Sequence, residues 1–255
     1  MSQVVAIAQN TFRETVRDRV LYSLLFFAAL VLVASIVMQE ITIGDQDKVV
    51  RSVAQSAVSV FASLMAMFLG IGLVYKELER KTIYTIASKP LKRWRFLLGK
   101  YAGLLLVLAV EVALMAALYC VVIGLQQGLP GMPVLLSWVA LMFELALITA
   151  WALLFSTYST PLTASFFTLS IFVIGHLADD IWRFGQQAES ASLRQLSEVV
   201  YWALPNFEVF NFSSYAVHEL PVPWGELGLA IGYGTAYSAA VLAVAALVFE
   251  NRDFK

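Results

Sequence analysis

Apolar positions in this chain do not alternate with period two, nor do they form only narrow stripes. They run on for about twenty residues at a time. Six stretches are almost wholly apolar: 20–38, 53–75, 101–124, 134–157, 160–178 and 227–249. A helix needs about 20 such residues to cross a hydrocarbon core about 30 Å thick. None of the six contains Lys or Arg, and the flanking Pro133 and near-terminal Pro161 sit where a first helical turn tolerates proline. The pattern therefore predicts six transmembrane α-helices. Alternating segments of about ten residues, the mark of a membrane β-barrel, are absent from the sequence. The expected fold class is an all-α integral membrane protein forming one transmembrane domain over 1–255.

Three segments outside the runs carry their own pattern. Residues 3–18 place Val5, Ala8, Phe12 and Val16 on one helical face and Asn10, Arg13, Glu14, Arg17 and Asp18 on others. They predict an interfacial helix leading into the first span. It serves either as a plain anchor or as an elbow towards a cytoplasmic partner. Residues 76–100 read as helix, break at Pro90, helix, with Ile83, Tyr84 and Ile86 set among charges. Apolar groups ringed by charge predict a docking surface for another protein. Residues 179–226 hold Leu193, Leu196, Val200 and Leu204 at helical spacing, then a second short element over 207–218. Together with Trp182, Trp202 and Trp224 they predict a helical hairpin at the outer interface, as a cap or a substrate gate.

Composition agrees and narrows the class. Of 255 residues, 60% are hydrophobic and 14% charged. Soluble domains carry about 25% charged residues. A net charge of −1 and a single cysteine, Cys120, exclude a nucleic-acid binder and a disulfide scaffold. Charge placement orients the chain. With the N-terminus inside, 13 Lys and Arg fall on the inner side and 4 on the outer, 8 of them on 76–100 alone. The positive-inside rule then predicts both termini in the cytoplasm. Glu14 and Asp18 before a long apolar run, with no small-residue cleavage site, predict a retained first span rather than a cleaved signal.

Two carboxyls lie within the spans. Glu111 and Glu144 each fall eleventh in a run of 24, at depths that differ by only three residues. A carboxylate at mid-membrane costs about 3 kcal/mol, and such groups normally face the bundle interior. As function, the pair can bind a cation or carry protons. As structure, each can donate an interhelical hydrogen bond. Gly99–Gly103 and Gly228–Gly232 are both small-xxx-small pairs that permit close helix contact. The second, inside a span and followed by alanines, is the better candidate for tight packing. Catalytic motifs are missing. Gly99-Lys100 is followed by Tyr101 and has Trp94 where a P-loop needs its first glycine, and His218-Glu219 lacks a second histidine. No Gly-flanked nucleophilic serine is present, so the chain is expected not to be an enzyme.

The 76–100 segment resembles the loop between the second and third spans of ABC-2-type transporter permeases. The matching residues are Glu77, Glu79, Lys81, Thr82, Lys89, Pro90, Arg93, Gly99 and Lys100. The stretch 203–212, ALPNFEVFNF, is similar to the Pro-Asn and Phe-Asn segment before that family's last span. The layout looks most like the small permeases related to the nitrous-oxide-reductase maturation transporter. The resemblance implies a bacterial-type cytoplasmic membrane and two permease copies or paralogues, each resting on a separate nucleotide-binding ATPase. It also implies no cofactor on this chain, with ATP and Mg on the partner subunit. In it, Ile83, Tyr84 and Ile86 become the inserted face of a coupling helix, with Lys81, Lys89 and Arg93 as its rim. The function implied is an ABC exporter permease. Two alternatives stay open: a proton-coupled secondary transporter using Glu111 and Glu144, and a non-transporting anchor for an ATPase. Glu111 and Glu144 match no motif of the family.

Overall fold

The computed structural model describes residues 3–41, 45–79 and 93–250, and every regular element among them is helical. The elements are α1 (Gln3–Thr15), α2 (Arg19–Ile41), α3 (Gln46–Glu79), α4 (Arg93–Gln127), α5 (Met132–Tyr158), α6 (Pro161–His176), α7 (Ala178–Gln187), α8 (Ala191–Ala203), a 3-10 turn (Glu208–Phe210), α9 (Ser213–Val217) and α10 (Trp224–Glu250). Five of them, α2, α3, α4, α5 and α10, are long and apolar enough to cross a membrane, and α6 with α7 makes a sixth only as a bent pair.

Among the long helices α5 is the most enclosed. Nearly three quarters of the apolar window of α5 is buried, against under a third for α2 and α10. It packs most heavily on α10 and α3. The outer helices are apolar around their whole circumference. Tyr22, Phe26, Phe27, Leu30, Val33 and Val37 of α2 all point outward, as a helix surrounded by hydrocarbon requires. Alanines and glycines set the closest approaches. A Cβ at Gly70 of α3 would lie 2.5 Å from that of Ala152 on α5.

The predicted span 160–178 is not one straight helix. α6 ends at His176, and α7 leaves it at 59°. Sixteen residues rise only about 24 Å, short of the hydrocarbon thickness. Two features stop it. Asp179 and Asp180 follow at once, and they occupy the first turn of α7, where carboxylates favour a helix N-terminus. Gly175 also leaves room for the returning chain, and Phe207 donates its backbone N–H to Gly175 O at 3.0 Å, satisfying a carbonyl in the last helical turn.

Residues 177–223 thus form a cap over one end of the bundle. α7 and α8 make a helical hairpin, closed where a side chain on Gly185 would collide with Ser197. The pairing differs from the expected one: the leucine-patterned segment is α8, with Leu204 just past its end, but its partner is the preceding α7, and 207–218 holds only the 3-10 turn and the five-residue α9. Trp202 and Trp224 project freely, at 81% and 68% exposure. The far end of the cap is clasped by Arg51 of α3, which donates to Gln127 Oε1 of α4 at 2.6 Å and to Glu219 Oε1. Glu219 takes the left-handed conformation, φ +52°, that an L-residue adopts at a cost of about 1–2 kcal/mol. Arg51→Ala is expected to cost about 1–3 kcal/mol and to raise hydrogen exchange in 213–223. Unchanged exchange there would show that the clasp holds nothing.

Candidate functional site

Three features could carry function, and they lie at different heights. At the end opposite the cap, α1 lies along the start of α4. Thr11 and Thr15 are buried with Ala8, and Val5 is exposed. The buried face is therefore turned from the Val5, Ala8, Phe12, Val16 stripe that hydrophobicity alone predicts. Thr11 can enter because its hydroxyl donates back to Ile7 O at 2.9 Å. The groove for α1 is made by Gly99 and Gly103. A Cβ at Gly99 would lie 2.7 Å from Ile7 Cβ, and one at Gly103 2.7 Å from Ala8 O. Lys100, 2% exposed, reaches Glu14 of α1 at 3.8 Å and lies 5.6 Å from the Phe96 ring. Gly228 and Gly232, the pair that sequence favours for close packing, differ: a Cβ added to either would meet no neighbouring atom within 4 Å in the protomer. The first pair, not the second, makes the tight contact, because only it meets another helix of this chain.

The residues expected to couple to an ATPase fall, in sequence, from the end of α3 to the start of α4. Glu77 and Glu79 fall on the last turn of α3 and Arg93 opens α4. Lys81, Thr82, Ile83, Tyr84, Ile86, Lys89 and Pro90 lie outside the described residues. The two helices that bracket them end at the same end of the bundle as α1, where Phe96 of α4 stacks on Phe249 of α10 at 6.2 Å.

The third feature is a buried polar cluster in the middle of the bundle. Glu144 of α5 is 4% exposed. Its Oε1 accepts from Ser63 Oγ of α3 at 3.3 Å and faces His176 Nε2 of α6, also at 3.3 Å. The other ring nitrogen of His176, Nδ1, lies 3.0 Å from Phe172 O. The imidazole is packed between Phe172, centroids 4.4 Å apart, and Phe207 of the cap, 5.3 Å away and tilted by 31°. Asn206 next to it donates to Asp179 Oδ1 at 2.7 Å, and its backbone N–H donates to the Tyr233 hydroxyl at 2.9 Å. One carboxyl, one hydroxyl and one imidazole thus meet where three helices and the cap converge. Such an array can bind or pass a proton.

Glu111 does not join it. At 2% exposure it is as buried as Glu144, yet among the described residues neither of its carboxyl oxygens has a hydrogen-bond partner. The two glutamates are alike in burial and different in surroundings. Sequence reasoning singles out neither Ser63 nor His176. A signal exists: α5 and α6 are joined by a very short turn, and Glu144 and His176 lie at nearly equal distances from it, about 21 and 22 Å by helix rise.

Among the described residues no group of His, Cys, Asp and Glu is arranged to hold a metal ion. No curated protein matches the chain. Its helical bundle and apolar surface are those of a membrane protein, and residues 5–254 match the family described as ABC-2 family transporter protein, so the chain belongs to that family.

Proposed function

We propose that this chain is the permease subunit of an ATP-binding-cassette exporter, closest to the small permeases related to the nitrous-oxide-reductase maturation transporter. Family membership over nearly the whole chain carries the reading. Two copies, or this chain and a paralogue, pair in a bacterial cytoplasmic membrane, and each rests on a separate ATPase that binds ATP and Mg. Both termini and the α1 end face the cytoplasm, because 13 of the 17 Lys and Arg fall on that side under this topology. The cap then faces outward. The segment from Glu77 to Arg93 receives the movement of the ATPase, with Ile83, Tyr84 and Ile86 inserted and Lys81, Lys89 and Arg93 around them. The charge and the apolar triplet support this role, since a loop that only set topology would need neither isoleucine nor tyrosine.

Tyr84→Asp is the direct test. It places a charge in the centre of the proposed contact, and a truncated or charged anchor in such a position costs about 2 kcal/mol or more of binding. The expected outcome is normal insertion, loss of the co-purifying ATPase, and loss of transport in liposomes. Normal ATPase retention with normal transport would remove the coupling assignment. Failure of any P-loop protein to co-purify with the unaltered chain would remove the permease reading itself.

A further inference from the structure

The two nitrogens of His176 have different and fixed neighbours. Nδ1 faces Phe172 O at 3.0 Å. A carbonyl oxygen only accepts, so Nδ1 carries a hydrogen. Nε2 faces Glu144 Oε1 at 3.3 Å, and that oxygen already accepts from Ser63. An unprotonated nitrogen and an ionised carboxylate would present lone pair to lone pair at this distance, with Glu144 only 4% exposed. One further proton must therefore lie between them. Either the imidazolium donates to the carboxylate, or the carboxylic acid donates to the neutral ring. Both descriptions count the same proton, which belongs to the pair rather than to either residue.

We propose that Glu144 and His176 form a binding site for a single proton within the membrane, and that the bound proton holds the cap on the bundle. The cap is seated on this pair. Phe207, 1% exposed, lies on the imidazole and donates its N–H to Gly175 O, one residue before the histidine. Other groups around the ring are few. α3 contributes the Ser63 hydroxyl, α5 contributes Glu144, and α6 contributes Phe172 O. The cap contributes Glu208, whose charge acts on the ring, while Asp179 of α7 is engaged by Asn206. His176 is the more open member of the pair, with its side chain 33% exposed against 5% for Glu144. Releasing it leaves two acceptors face to face, which separates the end of α6 from α5 and loosens the seat of Phe207. Docking and proton binding thus favour each other, as linkage requires. The proton tunes the opening of the cap, and ATP remains the energy source of the proposed exporter.

The experiment uses the chain in lipid nanodiscs with labelled histidine. There are only two histidines, so His218→Gln leaves His176 as the single signal. The expected spectrum shows Nδ1 protonated throughout and one further proton lost on raising the pH. Over the same range the protection of amides 203–212, corrected for intrinsic exchange, falls by up to tenfold per pH unit, the slope for release of one proton. Glu144→Gln is expected to move the His176 transition by a pH unit or more and to make cap protection independent of pH. A His176 titration that leaves cap protection unchanged would overturn the proposal, as would a Glu144→Gln protein with both profiles unaltered. Should Glu144→Gln not fold, the His218→Gln titration alone decides between the first two outcomes. None of these readings needs an ATPase or a cargo, so this inference and the permease reading fail separately.

Discussion

Replacing Gly175 with alanine is expected to cost about 2–3 kcal/mol, the upper range for overpacking a tight contact, and to free the cap from the bundle. The added Cβ would meet the Phe207 ring and would lie 2.7 Å from Pro205 O. A ring can turn away. The carbonyl cannot move without carrying 205–207, and that stretch is held by the Phe207 N–H bond to Gly175 itself and by Asn206 N–H to Tyr233. Relief in either direction breaks these bonds and lifts Phe207 off His176. Hydrogen exchange should rise across 203–212 while α4 and α5 stay protected, and the unfolding temperature in detergent should fall. Gly225→Ala, where a side chain meets nothing within 4 Å, serves as the control. Equal behaviour of the two variants would mean that the cap is not seated at Gly175.

Gly103→Leu should have the other large effect, at the α1 end. A Cβ there would lie 2.6 Å from Thr11 Cβ and 2.7 Å from Ala8 O. The neighbour is helix backbone, so no rotamer change makes room. A leucine fills the groove, and α1 must leave it. Detachment exposes Ala8, Thr11 and Thr15 and uncovers Lys100, which is held beneath α1 with Glu14 3.8 Å away. The expected loss is about 3 kcal/mol or more for this contact. Thiol labelling reads it directly. In a Cys120→Ala background, Thr11→Cys should be protected in the parent and reactive with Gly103→Leu. Gly232→Leu, with nothing within 4 Å in the protomer, should leave Thr11→Cys protected. A reactive thiol in the parent would show that α1 is not packed as described.

These two glycines also mark the limit of sequence reasoning. A small-xxx-small pair says that a close approach is possible, not which helix makes it. Gly228–Gly232 is the better candidate by pattern because both glycines lie within an apolar run and alanines follow them, while Gly99–Gly103 straddles the start of one. The edge pair makes the contact because α1 lies along the start of α4, with Ile7, Ala8 and Thr11 against Gly99 and Gly103. The same limit appears in α1, where threonines rather than Val5 face inward. Hydrophobic periodicity ranks Thr below Val, yet a threonine that bonds its own helix carbonyl can be buried at little cost.

The polar cluster was half legible. Burial of Glu144 followed from its place in an apolar run, since a carboxyl there must face protein. Its partners were not, because Ser63, Glu144 and His176 are separated by tens of residues and lie on three helices. The break of α6 was hidden for a related reason. Run 160–178 is apolar throughout, and at its bend Phe207, thirty-two residues beyond Gly175, docks at that glycine.

What the amino-acid order determined alone was the helical membrane class, the approximate position of the spans, the charge asymmetry across them and the family likeness. Those properties are local or additive: hydrocarbon excludes unpaired backbone and charge, residue by residue, wherever they occur. Tertiary structure alone decided which glycine pair packs closely within the chain, where the sixth candidate span bends, and that Glu144 meets His176 while Glu111 has no hydrogen-bond partner among the described residues. Each of those depends on contacts between distant segments, and a contact has a partner that no single window of sequence contains.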